Sequence, residues 1–184
     1  MTLIAGLGNP GGRYAANRHN VGFMALDILI KNIGASLCDK TKHKGELYRK
    51  NDIFLLKPLT FMNLSGESVR SVKEYYKIEN LIAIHDDIDL LPGALRFKTG
   101  GGHGGHNGLR SIDSHCSKEY HRVRIGIGRP EIKEQVADYC LSDFTTSDKI
   151  WLNDILHNAA DGALALCEMP LNEVSSKFTK SPQP

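Results

Sequence analysis

A chain of 184 residues, 41% hydrophobic and 24% charged, has the composition of one soluble globular domain, which excludes a disordered tail and a fibre. No apolar run approaches the ~20 residues of a membrane helix, and Met1 to Gly12 lacks the basic head of a secretion signal, so the expected compartment is the cytoplasm. The net charge of +2 is uneven: residues 95–130 hold seven basic side chains against Asp113 and Glu119, and residues 131–184 hold four against nine acidic ones; the modest total argues against coating of nucleic acid but leaves room to grip a few phosphates.

Along the chain, Thr2 to Leu7 is an apolar run stopped by Gly8-Asn9-Pro10-Gly11-Gly12, which predicts a buried strand entering a tight loop. From Val21 apolar residues fall at helical spacing, with Gly34 as the stop. Glu46 to Arg49 and Ile53 to Lys57 read as strands joined through Asn51-Asp52. Ser65 to Lys77 reads as a polar-faced helix capped by Ser65. Leu81 to His85 is the clearest buried strand and runs into Asp86-Asp87. Ala94 to Lys98 is another strand, followed by the glycine run Gly100 to Gly108. Asn107 to His115 predicts a short helix and Val123 to Gly128 a strand. Beyond Ile132 the pattern is helical, most clearly from Thr145 to Glu168. Cys38, Cys116, Cys140 and Cys167 are far apart with no C-x-x-C pair, so they read as reduced apolar side chains. Strands interleaved with helices predict a single-domain three-layer α/β/α sandwich, residues 1–184, around a mixed, mostly parallel sheet.

In such sheets the loops at the carboxyl ends of strands form the ligand crevice. Here those loops carry Asn9, Tyr14, Arg18, His19 and Asn20; then His85, Asp86, Asp87 and Asp89; then His103, His106 and Asn107; Phe61-Met62-Asn63 lies before a helix. Four chemistries compete for these residues. Gly6 to Gly11 matches a dinucleotide fingerprint, but Pro10 and Gly12 disrupt the helix start that would meet a pyrophosphate. His103 and His106 are spaced like metal ligands, with His85 and Asp86 as possible companions, but five glycines argue against the helix that would align them. No nucleophile elbow surrounds a serine or cysteine. Metal-free acid–base hydrolysis fits best: one histidine deprotonates water, an aspartate holds its tautomer, and amides meet the oxyanion. Asn9, Asn63 and Asn107 compete for that last role, in which losing one donor costs about 3–4 kcal/mol. A non-catalytic RNA-binding module would explain the basic segment but not the His and Asn constellation.

The residues also resemble a known family, the bacterial-type peptidyl-tRNA hydrolases. The resemblance lies in Gly6-Leu7-Gly8-Asn9-Pro10-Gly11, Tyr14, Arg18-His19-Asn20-Val21-Gly22, Thr60-Phe61-Met62-Asn63-Leu64-Ser65-Gly66 and His85-Asp86-Asp87-Ile88-Asp89. It continues in Gly100 to Leu109 and Arg122 to Pro130. It implies an α/β/α esterase, usually monomeric, that cuts the bond between a peptide and the 3′ ribose of tRNA without cofactor or metal. It implies His19 as base, Asp86 as its support, and Asn9 as the residue that tells N-blocked from free aminoacyl esters. Tyr14, Phe61, Met62, Asn63 and Asn107 would contact the acyl-adenosine end or the water, His106 would support the site, and Lys98 and Arg124 would hold tRNA phosphate. Asn17 departs from the family's more usual Thr, and the acidic last third tempers any broad contact with tRNA.

Overall fold

The apolar run near the amino terminus forms β1 (Thr2–Gly6), and its residues are buried on both sides because helices cover both faces. The structure, a computed structural model, describes residues 1–182. The other strands are β2 (Ser36–Asp39), β3 (Gly45–Lys50), β4 (Ile53–Pro58), β5 (Asn80–Asp87), β6 (Leu95–Thr99) and β7 (His121–Gly126). They form one sheet in the order β2-β3-β4-β1-β5-β7-β6. Neighbours in the block β4-β1-β5-β7 are parallel, while β2-β3, β3-β4 and β6-β7 are antiparallel.

The helices are α1 (Val21–Ile33), α2 (Ser65–Tyr76), α3 (Asn107–His115), α4 (Val136–Cys140), α5 (Lys149–Ala165) and α6 (Leu171–Phe178). Alternation along the strands sorts the core in two. Ile4, Ile82, Ile84, Val123 and Ile125 pack with α1 and α5, and Leu3, Ala5, Leu81 and Ala83 pack with α2 and α3. This is the expected sandwich. Helix α1 follows β1 on one face and α2 follows β4 on the other, so the chain reverses its direction of winding at β1. The crevice belongs beyond the carboxyl ends of β1 and β5.

One close approach makes the crevice possible. A Cβ at Gly22 would collide with backbone atoms of Leu7 and Ile84, so only glycine lets the start of α1 sit on the ends of β1 and β5.

Several expectations need correction. Ser65 does not cap α2: a 3-10 turn, Met62–Leu64, runs straight into the helix, and the Ser65 hydroxyl donates back to the Met62 carbonyl at 2.8 Å. Helix α5 starts at Lys149, because Thr145 and Asp148 exchange hydrogen bonds that close the preceding turn. Strand β6 runs antiparallel to β7, so its carboxyl end lies away from the crevice. The glycine run must therefore travel back along the sheet to deliver His106. Gly100, Gly101, Gly104 and Gly105 have φ of 65°, 89°, 59° and 82°, conformations that side chains with a Cβ rarely adopt.

Candidate active site

Three consecutive residues in the 3-10 turn Arg18–Asn20 tie three parts of the site together. Arg18 is buried and donates to the Ser142 hydroxyl and the Asp143 carbonyl, both at 2.7 Å, and to Asp148 Oδ2 at 2.9 Å. Its guanidinium lies 4.5 Å from the Tyr139 ring centre. It thereby fastens the segment after α4 beside the crevice. Asn20 clamps the first loop: its Oδ1 accepts from the Asn9 amide at 2.8 Å, and its Nδ2 donates to the Asn9 carbonyl at 2.9 Å.

His19, between them, places Nδ1 at 2.9 Å from both carboxylate oxygens of Asp86. Asp86 stands at the end of β5, where alternation turns it to the face of α1. Its Oδ1 also meets His106 Nε2 at 2.8 Å. His106 caps α3, its Nδ1 accepting from the amides of Gly108 at 3.1 Å and Leu109 at 3.3 Å. A nitrogen that accepts carries no proton, so the His106 proton sits on Nε2 and is donated to Asp86. The same reasoning assigns the His19 proton to Nδ1, because that nitrogen faces a carboxylate. Nε2 of His19 then holds the lone pair.

The charges follow from this geometry. Burial alone would raise the Asp86 carboxyl, but the charges and hydrogen bonds of His19 and His106 hold it far below the ordinary carboxylate range. For His19, burial opposes protonation, and the charge and hydrogen bond of Asp86 outweigh it, leaving its pKa above the ordinary 6.5. His85, one residue before Asp86, turns to the opposite face. It donates from Nδ1 to the Asp86 carbonyl at 2.7 Å and meets the His106 ring edge-on, with centres 5.2 Å apart. Burial and the neighbouring His106 push its pKa down to about 3, so it is a neutral spacer behind His106.

Asn9 is 7% exposed, and its Oδ1 accepts from the Met62 amide at 2.7 Å. With that oxygen occupied, Nδ2 is the end that Asn9 offers the crevice. The crevice has a volume of about 570 Å³ and is lined by Asn9, His19, Phe61, Met62, Asn63, Asp86, Lys98, His106, Asn107 and Arg124. Tyr14 is not among its lining residues. It stands against Phe61 edge-to-face, with ring centres 6.5 Å apart, and Phe61 is 57% exposed.

At the β6–β7 end, Lys98 makes no ion pair among the described residues, and burial, Arg124 and Arg122 together push its pKa down. A lysine crowded by two guanidiniums marks a positive spot that an anion would relieve. Arg124 donates from Nε to Asp87 Oδ2 at 2.9 Å and is one of the residues that line the crevice.

Other residues behave differently from the sequence pattern. Arg122, counted in the basic excess, is fully buried: it donates to the carbonyls of Gly102 at 2.7 Å and Gly101 at 3.0 Å and pairs with Asp113 at 3.3 Å. It holds the glycine run in place and cannot reach a phosphate. An arginine inside a β-branched strand was the only sign of this. His103 and His106 do not converge as metal ligands, since His103 Nδ1 accepts from the Gly105 amide at 3.0 Å while His106 is committed to Asp86 and α3. The glycine-rich loop after β1 leads into a 3-10 turn, Gly12–Tyr14, and the first α-helix begins only at Val21, so no helix start cradles a pyrophosphate there.

The family model described as peptidyl-tRNA hydrolase matches residues 3–184. A peptidyl-tRNA hydrolase of Sulfurovum sp. (strain NBC37-1) is 51% identical over 181 residues, covering 97% of this chain and 96% of its own. One from Sulfurimonas denitrificans is 53% identical over 177 residues, covering 96% of each chain. The crystal structure of peptidyl-tRNA hydrolase from Acinetobacter baumannii superposes with a TM-score of 0.93 at 37% identity, over 99% of this chain and 96% of that one. Near full-length similarity in sequence and in fold leads to one assignment: the chain belongs to the peptidyl-tRNA hydrolase family.

Proposed function

We propose that the crevice hydrolyses the ester between a peptide and the 3′ ribose of tRNA by metal-free general-base catalysis. Membership of the family makes the chain a peptidyl-tRNA hydrolase. The catalytic roles rest on one observation above all, the carboxylate of Asp86 shared between the two imidazoles of His19 and His106.

Neutral His19 takes a proton from water at Nε2, and the hydroxide attacks the ester carbonyl. The ring becomes an imidazolium whose Nδ1–H already points at Asp86, so the new charge forms beside a fixed opposite one. His106 holds Asp86 from the other side and does not share its proton, because its Nδ1 is engaged by α3. Nδ2 of Asn9 donates to a substrate carbonyl, with Asn63 and Asn107 nearby to hold the water or the adenosine end. The imidazolium then protonates the departing 3′ oxygen. A free amino group on the last residue would bring a positive charge where a blocked one brings an amide, and Asn9 is placed to favour the amide.

Exposed Phe61, with half-buried Tyr14 against it, forms an aromatic edge suited to stacking on a base or an apolar side chain. Lys98 and Arg124 receive a phosphate. We place the enzyme in the cytoplasm as a monomer, in keeping with four unpaired cysteines; among the described residues no helix is long and apolar enough to cross a membrane.

The test is hydrolysis of N-acetylaminoacyl-tRNA against free aminoacyl-tRNA, with and without chelator. The blocked ester is cleaved at the same rate in chelator, and the free ester far more slowly. Loss of activity in chelator, or equal cleavage of both esters, contradicts the reading. Lys98→Ala separates binding from chemistry: KM rises, kcat holds, and the dependence of kcat/KM on salt flattens by about one phosphate contact. A fall in kcat at constant KM would remove Lys98 from the phosphate site.

A further inference from the structure

Cys140 ends α4 and is 9% exposed, and its sulfur makes no hydrogen bond among the described residues. A ring nitrogen of His19, a carboxylate oxygen of Asp86 and the Cys140 sulfur lie within 4.8 Å of one another. All three residues line the same solvent-open crevice.

Imidazole, carboxylate and thiolate are the ligands a borderline-soft divalent ion such as Zn²⁺ accepts in one site, at about 2.0–2.3 Å each. Tetrahedral bonds of that length put donors roughly 3.3–3.8 Å apart, about 1 Å inside the 4.8 Å that encloses the three atoms here. We propose that His19, Asp86 and Cys140 form a binding site for a thiophilic divalent cation and that its occupation inhibits the enzyme. On coordination the thiol releases its proton to solvent, and His19 and Asp86 give lone pairs to the ion. The inhibition rests on the reading of His19 as base and Asp86 as its support, because the ion takes the donors that reading requires. Neither Asp86 nor His19 distinguishes this chain's site from a metal-free one. Cys140 does, since it brings the soft ligand.

The experiment uses chelator-treated protein, Zn²⁺ as the probe and N-acetylaminoacyl-tRNA as substrate, each variant being compared with its own metal-free rate. Zinc lowers wild-type turnover by about tenfold or more, EDTA restores it, and Cys140→Ala requires about tenfold or more extra zinc for the same loss. Cys140→Val, which keeps the buried volume filled, behaves like Cys140→Ala and guards against a folding artefact. With Co²⁺ and no tRNA, the wild type develops a thiolate-to-cobalt charge-transfer band in the near ultraviolet that both variants lack. Wild-type insensitivity to zinc, equal inhibition of all three proteins, or the absence of that band overturns the inference. Those results leave the base assignment standing, whereas near-normal turnover by His19→Ala at zero zinc would remove the assignment itself.

Discussion

Replacing His19 by alanine lowers kcat by about 10²–10⁴-fold, the usual contribution of a general base, and leaves KM for N-acetylaminoacyl-tRNA nearly unchanged. The direction follows from what the ring touches. Its contacts are Asp86 and the neighbouring ring of His106, with centres 4.9 Å apart, and Lys98 and Arg124 belong to other elements. Removing the imidazole therefore takes away the proton acceptor and leaves the phosphate contacts. Asp86 keeps its hydrogen bond from His106, so the end of β5 retains a partner and the fold survives. Single-turnover kinetics at saturating enzyme isolate the chemical step. Wild-type rates from this variant would show that another group deprotonates the water.

Asp86→Asn has an effect of comparable size for a less direct reason. His106 must donate from Nε2, because the amides of Gly108 and Leu109 occupy its Nδ1. The asparagine oxygen is thus claimed by His106, and its NH2 group turns to His19 Nδ1. A donor there forces His19 into the opposite tautomer, with the proton on Nε2, where the base should be vacant. The equivalent tautomer error in a Ser-His-Asp triad costs about 10⁴-fold, and loss comes here without a change in side-chain size. The checks are kcat for chemistry and the melting temperature for folding. A variant that keeps normal turnover would mean that Asp86 has no part in setting the tautomer.

Much of this site was legible in the sequence, and the limits have physical causes. Asn9, His19, Asp86, His106 and Asn107 could be grouped because they follow apolar runs or glycine turns, where side chains gather at strand ends. Asp86 and Asp87 are chemically alike; only strand alternation and the approach of Arg124 show that one faces His19 while the other pairs with an arginine. Strand β2, Ser-Leu-Cys-Asp, is mostly exposed and has no core alternation, because it is an edge strand held by pairing with β3. The direction of β6 is set by its register with β7, which leaves no local trace in Leu95–Thr99. The residues that brace the site from a distance were hardest to read. Arg18 reaches residues 142–148, and Arg122 reaches Gly101, Gly102 and Asp113. Their partners are fixed only when the chain has folded. Cys140 was read as an ordinary apolar thiol, and only α4 brings it to Asp86.

The state of the His19 ring is the most direct point of test. Nitrogen-15 spectra of labelled imidazoles report which nitrogen is protonated, and a titration gives the midpoint. The ring should carry its proton on Nδ1 at alkaline pH. Its midpoint should lie above the ordinary 6.5, because Asp86 outweighs burial. Since only the neutral ring accepts a proton from water, kcat/KM should fall as pH drops through that same midpoint. A proton on Nε2 at alkaline pH, or an acid limb of kcat/KM that departs from the His19 midpoint, would contradict the assignment of His19 as the base.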